Sequence, residues 1–162
     1  MSELTPQQIA ERVRDGMLKN DRATRALGME VTDIAPGRAT LTMRVREDML
    51  NGHDTCHGGL ITTLADSAFA FACNSHGELT VAASIAVDFL APGRKDDLLT
   101  AQAFEVSKAG RTGLYDCDVS NQRGERVAVF RGRSHTMKGK PAAGALVAGT
   151  AATAGANTET SA

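Results

Sequence analysis

The run from Gly58 to Ser75, GGLITTLADSAFAFACNS, constrains this chain more than any other stretch. It has helical period, no Pro, Lys or Arg, and a single charge, Asp66. A helix that is apolar on almost every side has to be enclosed rather than laid on a surface. At 1.5 Å per residue it is about 27 Å long, a span suited to a six-stranded wrap. The segments around it change from a period near four to a period of two, so the enclosing layer is a sheet.

Arg38 to Val45 places Ala39, Leu41, Met43 and Val45 on one face and Arg38, Thr40, Thr42 and Arg44 on the other. With Met29 to Ile34 before it and Ala35-Pro36-Gly37 as turn, this is a hairpin with one dry face. After the helix, Thr80 to Leu90 puts Val81, Ala83, Ile85, Val87 and Phe89 on one side and stops at Pro92-Gly93. Leu98 to Val106, Leu114 to Asn121 and Arg126 to His135 follow as three more strands, read as consecutive antiparallel hairpins. The expected class is α+β: six antiparallel strands curled around one long central helix.

Short helices precede this unit. Thr5-Pro6-Gln7-Gln8 has an N-cap, a proline at the first helical position and a capping-box glutamine, followed by Ile9, Val13 and Met17 on one stripe. Gly16 weakens that helix, and a second short piece ends at Gly28. Residues 1–20 are thus an N-terminal helical segment and 21–138 the single folded domain. Residues 139–162, rich in Ala, Gly and Thr, are expected to be a disordered tail.

Eighteen Lys and Arg are dispersed among nineteen Asp and Glu, for a formal charge of −1 and no basic run. No nucleic-acid or membrane partner is expected. The polar MSELTPQQ start carries no apolar targeting core, so the expected location is cytoplasmic. Cys56, Cys73 and Cys117 are odd in number and lack metal-ligand spacing, and His53 with His57 in a loop fixes no common face; no metal is expected. Cys73, mid-helix and without a histidine at helical spacing, reads as core.

Gly58-Gly59 at a helix start leaves backbone N–H groups at the positive end of the macrodipole, a cradle for an oxygen that becomes negative during acyl transfer. Asp66, costly to desolvate and without an opposite charge nearby in sequence, is the candidate base or nucleophile. Eight residues separate it from Gly58 by about 12 Å, whereas both must lie about 3 Å from one reacting group. Two such helices packed antiparallel about a two-fold axis would bring the Asp66 of one copy toward the Gly58 of the other. The spacing therefore predicts an obligate dimer with two shared sites.

The chain resembles the hotdog-fold acyl-CoA thioesterases and, within them, the phenylacetic acid degradation (PaaI) family. The resemblance rests on Leu50-Asn51-Gly52-His53, Cys56-His57-Gly58-Gly59, Leu64-Ala65-Asp66-Ser67-Ala68-Phe69-Ala70, Ala72-Cys73-Asn74-Ser75, Val87-Asp88-Phe89-Leu90 and Val127-Ala128-Val129-Phe130-Arg131-Gly132. It implies a hotdog fold and hydrolysis of an acyl-CoA thioester, favouring aryl or hydroxyarylacetyl groups, to free acid and coenzyme A. No cofactor is implied, since coenzyme A belongs to the substrate. It further implies sites at a dimer interface and assembly as a dimer of dimers, a homotetramer. Carried onto this sequence, the Gly58 amide would polarise the thioester carbonyl, with Gly59 beside it, and Asp66 would attack or activate a water. Asn51 and His57 would position thioester and water, and Arg111, with Arg94 and Lys95 as weaker candidates, would hold the coenzyme A phosphates.

Two other readings stand beside this one. A hotdog hydratase or dehydratase would pair His53 or His57 with Asp66, but the Pro-rich histidine loop of those enzymes is missing. A non-catalytic acyl-CoA-binding protein usually carries an effector domain, for which this chain has no room. Bland readings also remain: Asp66 capped by Thr62 or Thr63, His57 as a helix-start residue, Asn51 as a turn residue, and Arg94 and Arg111 as solvated turn charges.

Overall fold

The structure is a computed structural model and describes residues 3–145. In chain order it contains α1 (Pro6–Asn20), α2 (Arg22–Ala26), β1 (Glu30–Ala35), β2 (Arg38–Arg44), a 3-10 turn at Glu47–Met49, α3 (Gly58–Asn74), β3 (Glu78–Phe89), β4 (Leu98–Ala109), β5 (Thr112–Ser120) and β6 (Arg126–Pro141). The strands form one six-stranded antiparallel sheet in the order β1-β2-β4-β5-β6-β3, and α3 packs against all six. This is the expected curled sheet around one central helix.

α3 is enclosed because its apolar residues fill that curl. Leu64, Ala65, Ala68, Phe69, Phe71 and Ala72 are buried, and the Phe69 ring meets Tyr115 and Phe130 at centroid distances of 5.4 and 5.6 Å. Gly132 on β6 makes room for this cluster, since a Cβ there would stand 2.9 Å from the rings of Phe69 and Phe130. Asn74 fastens the far end of the helix: its amide donates to the Thr80 carbonyl at 2.8 Å and accepts the Thr80 N–H at 2.9 Å.

Both arms of the α1 capping box form, with Gln8 N–H donating to Thr5 Oγ1 and Thr5 N–H donating to Gln8 Oε1. Gly16 has a packing reason to be in that helix. A Cβ there would meet the Ala143 carbonyl at 2.5 Å, because the chain after β6 crosses α1 at this point.

Two expectations change. β4, β5 and β6 are consecutive hairpins, but β3 pairs with β6 at the far edge instead of with its sequence neighbour β4. The long link through Pro92-Gly93 lets the chain cross from one edge to the middle of the sheet. The first residues assigned to a tail from 139 are also part of the fold. β6 continues to Pro141, which pairs with Glu78, and buried Ala142 donates its N–H to the Gly77 carbonyl at 2.9 Å. Low hydropathy does not prevent order where the backbone has an open strand edge to pair with. The remaining tail residues, 146–162, lie outside the described residues.

The alternating side of β3 is not dry within the subunit. Val81, Ile85 and Phe89 are about half exposed, at 47, 45 and 54%. β3 is an edge strand twelve residues long, and its outer edge has no partner among the described residues.

Candidate active site

The helix start is built by its own preceding loop. Asn51 Oδ1 accepts the N–H groups of His53 and Thr55 and the Thr55 hydroxyl, which folds the loop around the positive-φ residue Asp54. Asn51 is thus a turn residue, and its carboxamide NH2 is uncommitted among the described residues. His57 is the N-cap of α3, where its Nδ1 accepts the Gly59 N–H at 3.0 Å. An accepting Nδ1 places the ring proton on Nε2. Gly59 is therefore not a free donor; its amide is consumed by His57. The Gly58 N–H, one residue earlier, has no acceptor among the described residues, which leaves one amide of the expected pair to face a ligand.

A cavity of about 420 Å³ opens beside this amide, lined by Asn51, Gly58, Ile61, Phe89, Leu90 and Pro92 among others. Ile61, Phe89, Leu90 and Pro92 in this wall were not among the expected site residues, and of these Phe89 stood at the end of the alternating side of its strand. Its exposure on an edge strand is the signal.

Asp66 lies two turns along α3 and outside this cavity. It lines a different one, about 350 Å³, with Met17, Phe69, Cys73, Val81 and Ala143. The two cavities share no lining residue. Asp66 is half-buried, and no donor reaches it among the described residues. The hydroxyls of Thr62 and Thr63 donate instead to the carbonyls of Gly58 and Gly59, both at 2.8 Å, so neither caps Asp66. Desolvation alone raises its carboxyl above the ordinary 3.8. Cys73, in the same cavity, is 1% exposed and burial pushes its thiol up to about 12, which leaves it inert.

The candidate phosphate-binding cations are divided between the two ends of β3. Arg94 and Lys95 follow the end of β3 beside the Gly58 cavity. The Lys95 ammonium is already paired with Glu47 at 2.7 Å. Arg111 is in the β4–β5 turn, where its carbonyl accepts the Thr136 N–H at 2.7 Å, and Thr136 pairs with Thr80 near the start of β3. A still larger depression, about 470 Å³, lies on the outer face of the sheet around the Arg131–Asp116 pair. Arg131 pairs with Asp116 and Arg126 with Asp118 there, and it contains none of the candidate groups. Among the described residues no three His, Cys, Asp or Glu side chains converge as a metal site.

Residues 53–128 match the model of the Thioesterase superfamily. Acyl-coenzyme A thioesterase PaaI of Escherichia coli K12 is 46% identical over 123 residues, covering 76% of this chain and 88% of that protein. The chain belongs to the PaaI-type acyl-CoA thioesterases. The crystal structure of E. coli PaaI, from the phenylacetic acid degradation operon, superposes with a TM-score of 0.82 at 43% identity, covering 84% of this chain and 99% of that one. This is the hotdog fold, and the PaaI-type chain is an acyl-CoA thioester hydrolase. A hypothetical thioesterase protein of Streptococcus pneumoniae TIGR4, solved with coenzyme A, superposes with a TM-score of 0.65 at 27% identity, covering 67% of this chain and 88% of that one. Among the described residues no helix is long and apolar enough to cross a membrane.

Proposed function

We propose that this acyl-CoA thioesterase works through composite sites at a dimer interface, each pairing the Gly58 amide of one subunit with the Asp66 carboxylate of the other. The observation that carries this reading is the separation of the two groups. They sit in cavities with no residue in common, about 12 Å apart along one rigid helix. The long open edge of β3, with Val81, Ile85 and Phe89 half exposed, supports a second copy as the missing partner.

In the composite site the Gly58 N–H, at the positive end of α3, donates to the thioester carbonyl as it becomes an oxyanion. The Asn51 carboxamide NH2 and the His57 Nε2–H are the neighbouring donors able to hold carbonyl or water. Asp66, raised by burial, either attacks the carbonyl carbon or takes a proton from the attacking water. On either route the C–S bond breaks as the tetrahedral intermediate collapses. Where Asp66 attacked, a water then hydrolyses the acyl–Asp66 anhydride. One water is consumed either way, its oxygen going to the free acid and a proton from it leaving with coenzyme A as the thiol. Arg94, near the Gly58 cavity, and Arg111, near the start of β3, have side chains available for phosphate. Lys95 must leave Glu47 to contribute. Aryl or hydroxyarylacetyl thioesters are the preferred substrates, the active unit is a homodimer assembled further into a homotetramer, no cofactor is required, and the enzyme is cytoplasmic.

Subunit mixing tests the shared site. Asp66→Ala subunits mixed with Gly58→Pro subunits regain activity through one intact site per heterodimer, read as thiol release from phenylacetyl-CoA. Stable heterodimers without recovery would overturn it.

A further inference from the structure

The cavity at Asp66 has a direction. Asp66, Phe69 with Ala70, and Cys73 with Asn74 recur at helical spacing, so it runs along one face of α3 for about 12 Å away from the carboxylate. The start of β3, at Leu79 to Ala82, is its side wall. Its lining is predominantly apolar, and Asp66 is the one charged side chain in it.

The far end is closed by the two termini of the domain. Met17 projects from α1, and Ala143 comes from the segment that follows β6. Ala142 is anchored to the Gly77 carbonyl, in the α3–β3 turn beyond Asn74, which puts Ala143 at the end opposite Asp66. The two pieces are fitted to each other. A Cβ on Gly16 would stand 2.5 Å from the Ala143 carbonyl, and a side chain on Gly144 would run into the Arg12 carbonyl and Gly16. Two glycines, one on each segment, therefore permit the approach of α1 to the segment after β6, from which Met17 and Ala143 both line the cavity.

We propose that this cavity is the acyl subsite, and that Met17 and Ala143 form its floor and set the length of acyl group accepted. The proposal rests on Asp66 being the reacting carboxylate: a thioester carbonyl held against Asp66 has this apolar channel beside it, on the same subunit, for its acyl chain. Its volume, about 350 Å³, lies at the small end of ligand pockets, which suits a compact aryl or medium-length acyl group. Chain length is then decided by two terminal segments outside the strands and helix that carry the chemistry.

The test measures kcat/KM for acetyl-, butyryl-, hexanoyl-, octanoyl- and phenylacetyl-CoA in the wild type and in Met17→Ala, Met17→Phe and Ala143→Leu. A ratio of two substrates is independent of the fraction of active enzyme, so a variant that folds poorly still reports. Met17→Ala removes the side chain beyond Cβ and should raise the octanoyl-to-butyryl ratio about tenfold or more, since even one methylene in an apolar pocket discriminates by about that much. Met17→Phe and Ala143→Leu should lower it. Ratios equal to the wild type in all three variants would overturn the floor assignment. Normal turnover by Asp66→Asn would instead overturn the reading it rests on, so the two failures are separable.

Discussion

The ring of Phe89 occupies the place that a side chain on Gly58 would need. A Cβ at Gly58 would stand 2.9 Å from Phe89 Cζ and 3.3 Å from both Cε atoms. The residue that offers the free amide is thus kept as glycine by a half-exposed aromatic on β3. Gly58→Ala should lower kcat/KM by displacing the ring, the helix start, or both. Phe89→Leu in the same chain should return part of the loss. A double-mutant cycle on thiol release is expected to give a coupling of about 0.5–3 kcal/mol, and additive effects would mean that the ring yields freely.

Asp66 joins activity to stability with opposite signs. Burial raises its carboxyl, so between 3.8 and the raised value the folded chain binds more protons than the unfolded one. Its contribution to stability is therefore fully present below 3.8 and is lost as pH rises through the folded value. Asp66→Asn removes that penalty. At pH 7 its melting temperature should equal or exceed that of the wild type, with the gap closing as pH falls toward 3.8. Thiol release should drop by a factor of about 100 or more. A variant melting well below the wild type at neutral pH would show that donors hold the carboxylate.

His57 can be divided into cap and donor. His57→Ala leaves the Gly59 N–H without its acceptor and should cost about 0.5–2 kcal/mol in urea denaturation. His57→Asn restores an accepting oxygen at the cap. If Asn recovers stability while kcat stays low, the imidazole acts on the substrate beyond capping; full recovery of both would make His57 a cap alone.

Asp97 holds the loop that carries Arg94. It is 3% exposed and accepts from the Arg94 N–H, Gln122 Nε2 and Arg123 Nη1, each at 2.9 Å. Burial pushes its carboxyl up, but the hydrogen bonds outweigh that and hold it below the ordinary 3.8. Its stabilisation is present above 3.8 and is lost as pH falls through the folded value. Asp97→Ala should cost about 2 kcal/mol or more at pH 7. With the loop loosened, KM for acyl-CoA should rise more than kcat falls.

What was legible in the chain followed from how local each signal is. The α1 capping box, the start of α3 and the β1–β2 hairpin depend on residues three or four apart, and they form as read. The position of β3 was not legible, because its paired residues in β6 lie 39 to 63 positions away, from Phe89↔Ala128 to Glu78↔Pro141, and nothing in an alternating strand names its neighbour. The same holds within the site. Gly58 and Asp66 could be singled out from spacing and charge. The diversion of the Gly59 amide to His57, the ring of Phe89 over Gly58, and the approach of Gly16 to Ala143 are contacts that only folding brings together.

α3 carries both groups of the proposed site, Gly58 and Asp66, on one continuous helix, and this makes it a fixed ruler. Inserting one residue between Gly58 and Asp66 would turn the carboxylate by about 100° and advance it by 1.5 Å. In a two-fold assembly that error appears twice, once at each site, with no wild-type copy to compensate. Variation in substrate preference is therefore expected to accumulate where the helix is touched rather than along it: at the edge strand, the loop before the cap, and the two ends of the chain.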